Sequence, residues 1–195
     1  MTLFKSKLKV AIGILSWNQF DLTKRCIESY KRSSGKDVDI YLIDNGSDID
    51  VLRKERKIKG VSLIELRENY GYSGGFNKGI NTILKRGNYD YLLITNNDLI
   101  VDKRMVSELI EDVKWCGGNN IYVPIVYFLG TEKRIQAAGM RSIAPSPFQL
   151  VAFGRNDNGS LRKRHSAYLS GACFLIKAQL FLVSFNIKSL QFVVN

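Results

Sequence analysis

Soft metal ligands are scarce in this sequence: three cysteines, Cys26, Cys116 and Cys173, and a single histidine, His165, in 195 residues. No two cysteines have the C-x-x-C spacing, and one histidine adds too little for a structural zinc site. An odd, scattered set reads as buried, reduced thiols. Long apolar runs are missing too. Val10 to Leu15 is too short for the core of a signal peptide, and nothing approaches the roughly 18 apolar residues needed to cross a bilayer. The expected location is therefore the cytoplasm. Two phosphate-binding signatures are also absent. There is no G-x-x-x-x-G-K-[ST], and the first apolar run ends in Ser16-Trp17-Asn18, where a dinucleotide fold carries G-x-G-x-x-G. These absences exclude P-loop nucleotide hydrolysis and disfavour nicotinamide and flavin chemistry. Negative charge is in short supply, with 18 Asp and Glu against 29 Lys and Arg and a net charge of +11. Such an excess suits nucleic acid, acidic lipid headgroups or phosphorylated small molecules, or else a solvated basic surface with no dedicated partner.

A hydrophobic fraction of 45% is enough for one core in a chain of this length, which is most simply one domain. Its first half alternates short apolar runs with helical periodicity. Val10–Leu15, Ile40–Ile43, Val61–Leu66 and Tyr89–Thr95 read as strands. Between them, Leu22, Cys26, Ile27 and Tyr30 share one helical face, with Asp21 as its cap and Gly35 beyond its end. Phe76, Ile80, Ile83 and Leu84 mark a second helix closed near Gly87, and Met105, Val106, Leu109, Ile110 and Val113 a third. Alternation of this kind predicts an α/β fold with a mostly parallel sheet flanked by helices. The second half is mixed: strand-like runs at Ile121–Phe128 and Ala167–Ile176 surround loops near Pro145 and Pro147 and over Arg155–His165. The map is an α/β half (1–115), a mixed half (116–177) and a tail (178–195).

Ligands of open parallel sheets bind beyond the carboxyl ends of the strands. Polar clusters fall at such ends: Ser16-Trp17-Asn18, Asp44-Asn45-Gly46-Ser47, the glycine-rich stretch Asn69 to Asn77, and Asn96-Asn97-Asp98. Asp44 either accepts a hydrogen bond from a base or ribose, or closes an Asx turn. The glycine-rich stretch opens a helix, so its backbone N–H groups can approach a phosphate. Asp98 is either a hard ligand for Mg²⁺ or Mn²⁺ on a diphosphate, or a helix cap.

In this order, Ser16-Trp-Asn18, Ile43-Asp-Asn-Gly-Ser47, Glu68-Asn-Tyr-Gly-Tyr-Ser-Gly-Gly-Phe-Asn-Lys-Gly79 and Leu93-Ile-Thr-Asn-Asn-Asp98 resemble family 2 glycosyltransferases of the GT-A fold. The rhamnosyltransferase and galactofuranosyltransferase branch is the most similar. Tyr168-Leu-Ser-Gly-Ala-Cys-Phe-Leu-Ile176 resembles that family's strand beside sugar and acceptor. The resemblance implies a Rossmann-like sheet, a donor such as dTDP-rhamnose or a UDP-sugar, and inverting transfer to a bacterial surface glycan or lipid-linked glycan. It implies that Ser16, Trp17 and Asn18 lie along the nucleotide, with Asp44 and Asn45 at its base. Asn69, Gly71 and Asn77 would line the ribose and diphosphate, with Asn97 and Asp98 ending a D-x-D-like motif. Asp98 would hold the metal. Ser170 and Gly171 fall on the acceptor side.

The family's catalytic base comes from an acidic segment after this last strand, and no Asp or Glu follows Asp157 here. The expectation is a truncation or frame disruption after about residue 177, with His165 a poor substitute in the basic run Arg162–His165. Alternatives are a non-catalytic nucleotide-sugar binder and, from charge alone, a nucleic-acid-binding protein, for which no motif speaks. Arg53–Lys57 and Arg162–Arg164 are either solvated faces or a peripheral contact with anionic lipid at the inner face of the membrane.

Overall fold

The computed structural model describes residues 7–35, 38–116, 120–143, 146–159, 161 and 171–185. Its centre is β1 (Val10–Ser16), a strand with every residue buried. An unbroken apolar run can do this only if helices cover both faces. β2 (Val38–Asp44) and β4 (Tyr91–Asn96) pair with it in parallel, and β3 (Ser62–Glu65) pairs in parallel with β2. A late strand, here numbered β9 (Cys173–Lys177), joins β4 in the antiparallel sense, giving the order β3-β2-β1-β4-β9. The mostly parallel sheet with flanking helices expected from the alternation is present.

Period-two alternation divides the core. Val10, Ile12 and Ile14 pack on one face with Cys26, Ile27 and Tyr30 of α1 (Phe20–Ser33) and with Val106, Leu109 and Val113 of α4 (Met105–Cys116). Ala11 and Leu15 turn to the other face. There they meet Phe76, Ile80 and Ile83 of α3 (Gly71–Arg86) and Phe181 of α5 (Ala178–Phe185). α3 sits so close to the sheet that a Cβ on Gly79 would lie 2.3 Å from Ile43 Cδ1.

Several local expectations change. α1 begins at Phe20 with Gln19 before it, so Asp21 is a first-turn acid favoured by the helix dipole and not the cap. Leu22 is 41% exposed and lies off the buried face. The basic run Arg53–Lys57 overlaps a helix, α2 (Ile49–Glu55), too short to show periodicity. Within Ile121–Phe128 only Val126–Tyr127 forms a strand, β5, paired with β6 (Ile135–Ala137). β7 (Met140–Ile143) pairs with β8 (Ser146–Leu150), which contains Pro147; the register shifts between Arg141 and Ile143, where a missing N–H is tolerated. Pro145 and residues 162–170 lie outside the described residues. Cys26 and Cys173 are buried, burial pushing their thiols up to about 12 and about 11 respectively; Cys116 is exposed, against expectation.

Candidate functional site

Parallel pairing sends the carboxyl ends of β1, β2, β3 and β4 to one edge of the sheet, and the polar clusters go with them. A cleft of about 280 Å³ opens there, near the lower end for ligand sites. Its lining includes Ser16, Trp17, Asn45, Asn69, Gly71, Asn97 and Asp98 from the sequence candidates. Gln19, Tyr72 and Asn96 line it as well. Gln19 follows the first cluster and Tyr72 lies inside the glycine-rich stretch, so their neighbours were the available signal.

Asn18, Asp44 and Asn77 are not on that lining. Asn18 sits beside it at a φ of 54°, its amide N–H donating to Ser47 Oγ (2.9 Å) while its Oδ1 accepts from the Asp48 amide (2.7 Å). It braces the end of β1 against the turn after β2. Asp44, 1% exposed, lies below, where its carboxylate accepts from the Ser47 amide at 3.2 and 3.3 Å, the Asx-turn arrangement. Asn77 lines a smaller apolar cavity with Phe76, Phe174 and Phe181. Ser170 lies outside the described residues. Gly171 is tied to the glycine-rich helix, because the Tyr72 hydroxyl donates to its carbonyl.

Asn45 organises the glycine-rich loop. Its Nδ2 donates to Asn69 Oδ1 (2.9 Å) and to the Gly71 carbonyl (3.1 Å), and its Oδ1 accepts from the Tyr70 amide (3.1 Å). With both ends of the amide engaged, Asn45 shapes the cleft wall and has little left for a ligand. Gly46 makes the approach possible. Its φ is +74°, and a Cβ there would fall 2.4 Å from the Glu68 carbonyl carbon. α3 then begins at Gly71, whose amide donates to Asn69 Oδ1 (2.8 Å); the Tyr70 side chain caps nothing, which leaves the following first-turn N–H groups at the cleft for an anion.

Two groups bear on a metal. Asp98 is exposed at the cleft, and Asn96 Oδ1 is buried without a hydrogen-bond partner among the described residues. One carboxylate and one neutral amide oxygen suit a hard cation that brings most of its oxygen ligands from a diphosphate and water. Among the described residues no cluster of three or more His, Cys, Asp or Glu forms a self-sufficient metal cage. The residues fit a cation arriving with its anion better than one held by protein alone.

Residues 11–182 match the sequence profile described as Glycosyl transferase family 2. No curated protein matches the chain. Among solved structures, Staphylococcus aureus TarS residues 1–349 with UDP-GlcNAc is similar at a TM-score of 0.60 and 12% identity, covering 91% of this chain and 48% of that one. A mannosyltransferase from Pyrobaculum calidifontis, solved with GDP-Man and Mn²⁺, is similar at 0.51 and 17% identity, over 64% of this chain and 37% of that one. The chain thus spans about half or less of the length of these neighbours, and at such identities the likeness concerns the fold.

Proposed function

This chain belongs to glycosyl transferase family 2, and from that premise we propose that its strand-end cleft binds a nucleotide-activated sugar, dTDP-rhamnose or a UDP-sugar, for transfer to a bacterial surface glycan. The observation that carries this reading is the convergence of Trp17, Asn69, Gly71, Asn97 and Asp98 on one cleft at the start of α3. The neighbours were solved with UDP-GlcNAc and with GDP-Man and Mn²⁺, which supports a donor of this class. The rhamnosyl and galactofuranosyl branch is favoured by the motif order alone.

The roles follow from the chemistry of each group. Trp17, 51% exposed at the cleft, offers an aromatic face to a base. The amides at the start of α3 favour the diphosphate through hydrogen bonds and the helix dipole. Asp98, with Asn96 Oδ1 nearby, would hold Mg²⁺ or Mn²⁺, which when bound stabilises charge on the departing diphosphate. In an inverting transfer the acceptor hydroxyl attacks the anomeric carbon as the bond to diphosphate breaks, and a base removes the hydroxyl proton. Among the described residues Asp98 is the only carboxylate lining the cleft. A carboxylate engaged with a cation is a poor base. This favours a second reading, a nucleotide-sugar binder with little catalysis. Cytoplasmic location and peripheral contact with anionic lipid, where lipid-linked acceptors reside, are part of the proposal; the +11 charge supports the lipid contact.

The test is thermal denaturation with UDP, dTDP and their sugars, with and without Mn²⁺. A ligand of the folded state raises the melting temperature by mass action, about 2.7 kcal/mol at a hundredfold excess over Kd. No shift with any nucleoside diphosphate at millimolar concentration would overturn the donor-site reading.

A further inference from the structure

Beneath the cleft, buried polar side chains link the ends of β1, β2 and β4. Asn97 Nδ2 donates to Thr23 Oγ1 (2.9 Å), and the Thr23 and Ser16 hydroxyls share a hydrogen bond of 2.7 Å. Ser16 Oγ in turn donates to Glu55 Oε1 at 2.9 Å. Glu55 ends α2 with its side chain turned inward, 1% exposed. It is the one acid of the basic run Arg53–Lys57, and nothing in the mechanism above uses it.

A buried carboxyl needs all its oxygens accounted for. Glu55 Oε1 is satisfied by Ser16, but Oε2 is buried and no N–H or hydroxyl of the described residues reaches it. The group within hydrogen-bonding reach is another carboxyl, Asp44. Two carboxyls share a hydrogen bond only if one of them carries a proton. Burial is the main force raising Glu55, to about 7; the Ser16 bond opposes it, and the negative charge of Asp44 adds to the rise. The titratable groups acting on Glu55 are Asp44 from β2 and Glu65 from β3. Glu65 is itself paired with Arg56 by hydrogen bonds of 2.8 and 2.7 Å. β1 contributes the neutral Ser16 and, through it, α1 the neutral Thr23.

We propose that Glu55 is a positioning residue of the donor cleft: neutral, it donates to Asp44 and accepts from Ser16, holding the ends of β1 and β2 in the binding arrangement, and its ionisation weakens nucleotide-sugar binding. Ionisation removes the only proton between the two carboxyls. It also places a second negative charge below a cleft that receives a diphosphate. Affinity is therefore full while Glu55 is protonated and falls as pH rises past its titration. The inference rests on the donor-site reading.

The experiment measures the Kd of UDP-GlcNAc and dTDP-rhamnose at constant Mg²⁺ from pH 6 to 8.5, for the wild type and Glu55→Gln. These sugar diphosphates are diesters and do not titrate in that range, and glutamine keeps one donor and one acceptor while losing the titration. If donor binding raises the titration of Glu55 by about one unit, wild-type Kd rises about tenfold across the range. The Glu55→Gln profile is expected to be flat. Calorimetry in two buffers of different ionisation enthalpy should show proton uptake on binding to the wild type near pH 8, and none with Glu55→Gln. Binding with the same pH profile in both proteins, or without proton uptake, overturns the inference and leaves the donor-site reading standing. Absence of binding to the folded wild type at every pH overturns both. Should Glu55→Gln fail to fold, the wild-type pH profile and proton uptake decide by themselves.

Discussion

Asp98 and Glu55 are carboxyl groups of one site placed in opposite surroundings, one exposed at the cleft and the other sealed beneath it. Asp98→Ala should change the stability of the unliganded protein by no more than about 0.5 kcal/mol, as at an ordinary surface position. It should also abolish the Mn²⁺-dependent part of the stabilisation by UDP. Melting temperatures with and without metal check this, and an unchanged metal response would return Asp98 to a turn residue. Glu55 behaves differently, because burial and Asp44 raise its titration from 4.5 to about 7. The folded protein then binds this proton more tightly than the unfolded chain. Its contribution is fully present below about pH 4.5 and is lost progressively as pH rises to about 7, beyond which the loss is constant. Glu55→Gln lacks this titration, so its stability relative to the wild type should rise by about 2.5 kcal/mol between pH 5 and 8. Denaturant unfolding of both proteins at pH 5 and 8 measures the difference, and parallel pH curves would contradict the burial argument.

Placement of α3 against the sheet depends on a missing methyl group. A Cβ on Gly79 would meet Ile43 Cδ1 at 2.3 Å, so Gly79→Ala must displace the helix or the isoleucine. Overpacking of this kind costs about 1–3 kcal/mol, and the better helix propensity of alanine returns up to about 1. We expect a net loss of about 1–2 kcal/mol. Ile43→Ala removes Cδ1 and also the two Cγ atoms that would lie 2.7 Å away, so the double variant should be more stable than the sum of the single losses, as a double-mutant cycle would show. Additive losses would mean that the helix shifts as a body. The other end of α3 holds β9 through the Tyr72 hydroxyl and the Gly171 carbonyl. Tyr72→Phe should cost about 1 kcal/mol and speed amide exchange in Cys173–Lys177. Unaltered exchange there would show that pairing with β4 suffices.

Considered whole, the molecule gathers the proposed donor-binding groups from residues before 100, while of the two residues expected on the acceptor side Ser170 lies outside the described residues and Gly171 meets Tyr72. Since Asp98 is the only carboxylate lining the cleft among the described residues, the polypeptide of these 195 residues should bind a nucleotide sugar and transfer it slowly. Loss of a general base lowers rates by about 10²- to 10⁴-fold. Donor-consumption assays on this polypeptide, and on one extended by an acidic segment from a family member, compare the two directly. Rapid transfer by the unextended polypeptide, unaffected by His165→Ala, would require a base elsewhere.

The order of strands and helices was legible in the chain because Val10–Leu15, Ile40–Ile43 and Tyr89–Thr95 are apolar runs that only a doubly covered strand accommodates. Because parallel strands end at a common edge, the polar clusters following them were legible as neighbours as well. α2 was hidden, since seven residues ending in Arg53-Lys-Glu55 carry too little periodicity to separate helix from solvated charge. Only tertiary structure decided that Asn45 spends its amide on the glycine-rich loop while Asn97 donates to Gln19 and Thr23, two cleft-lining side chains separated by their partners. It also decided that Glu55 points inward among basic neighbours that face water. Charge and residue type are local properties of the sequence, whereas burial depends on which strands and helices close over a side chain.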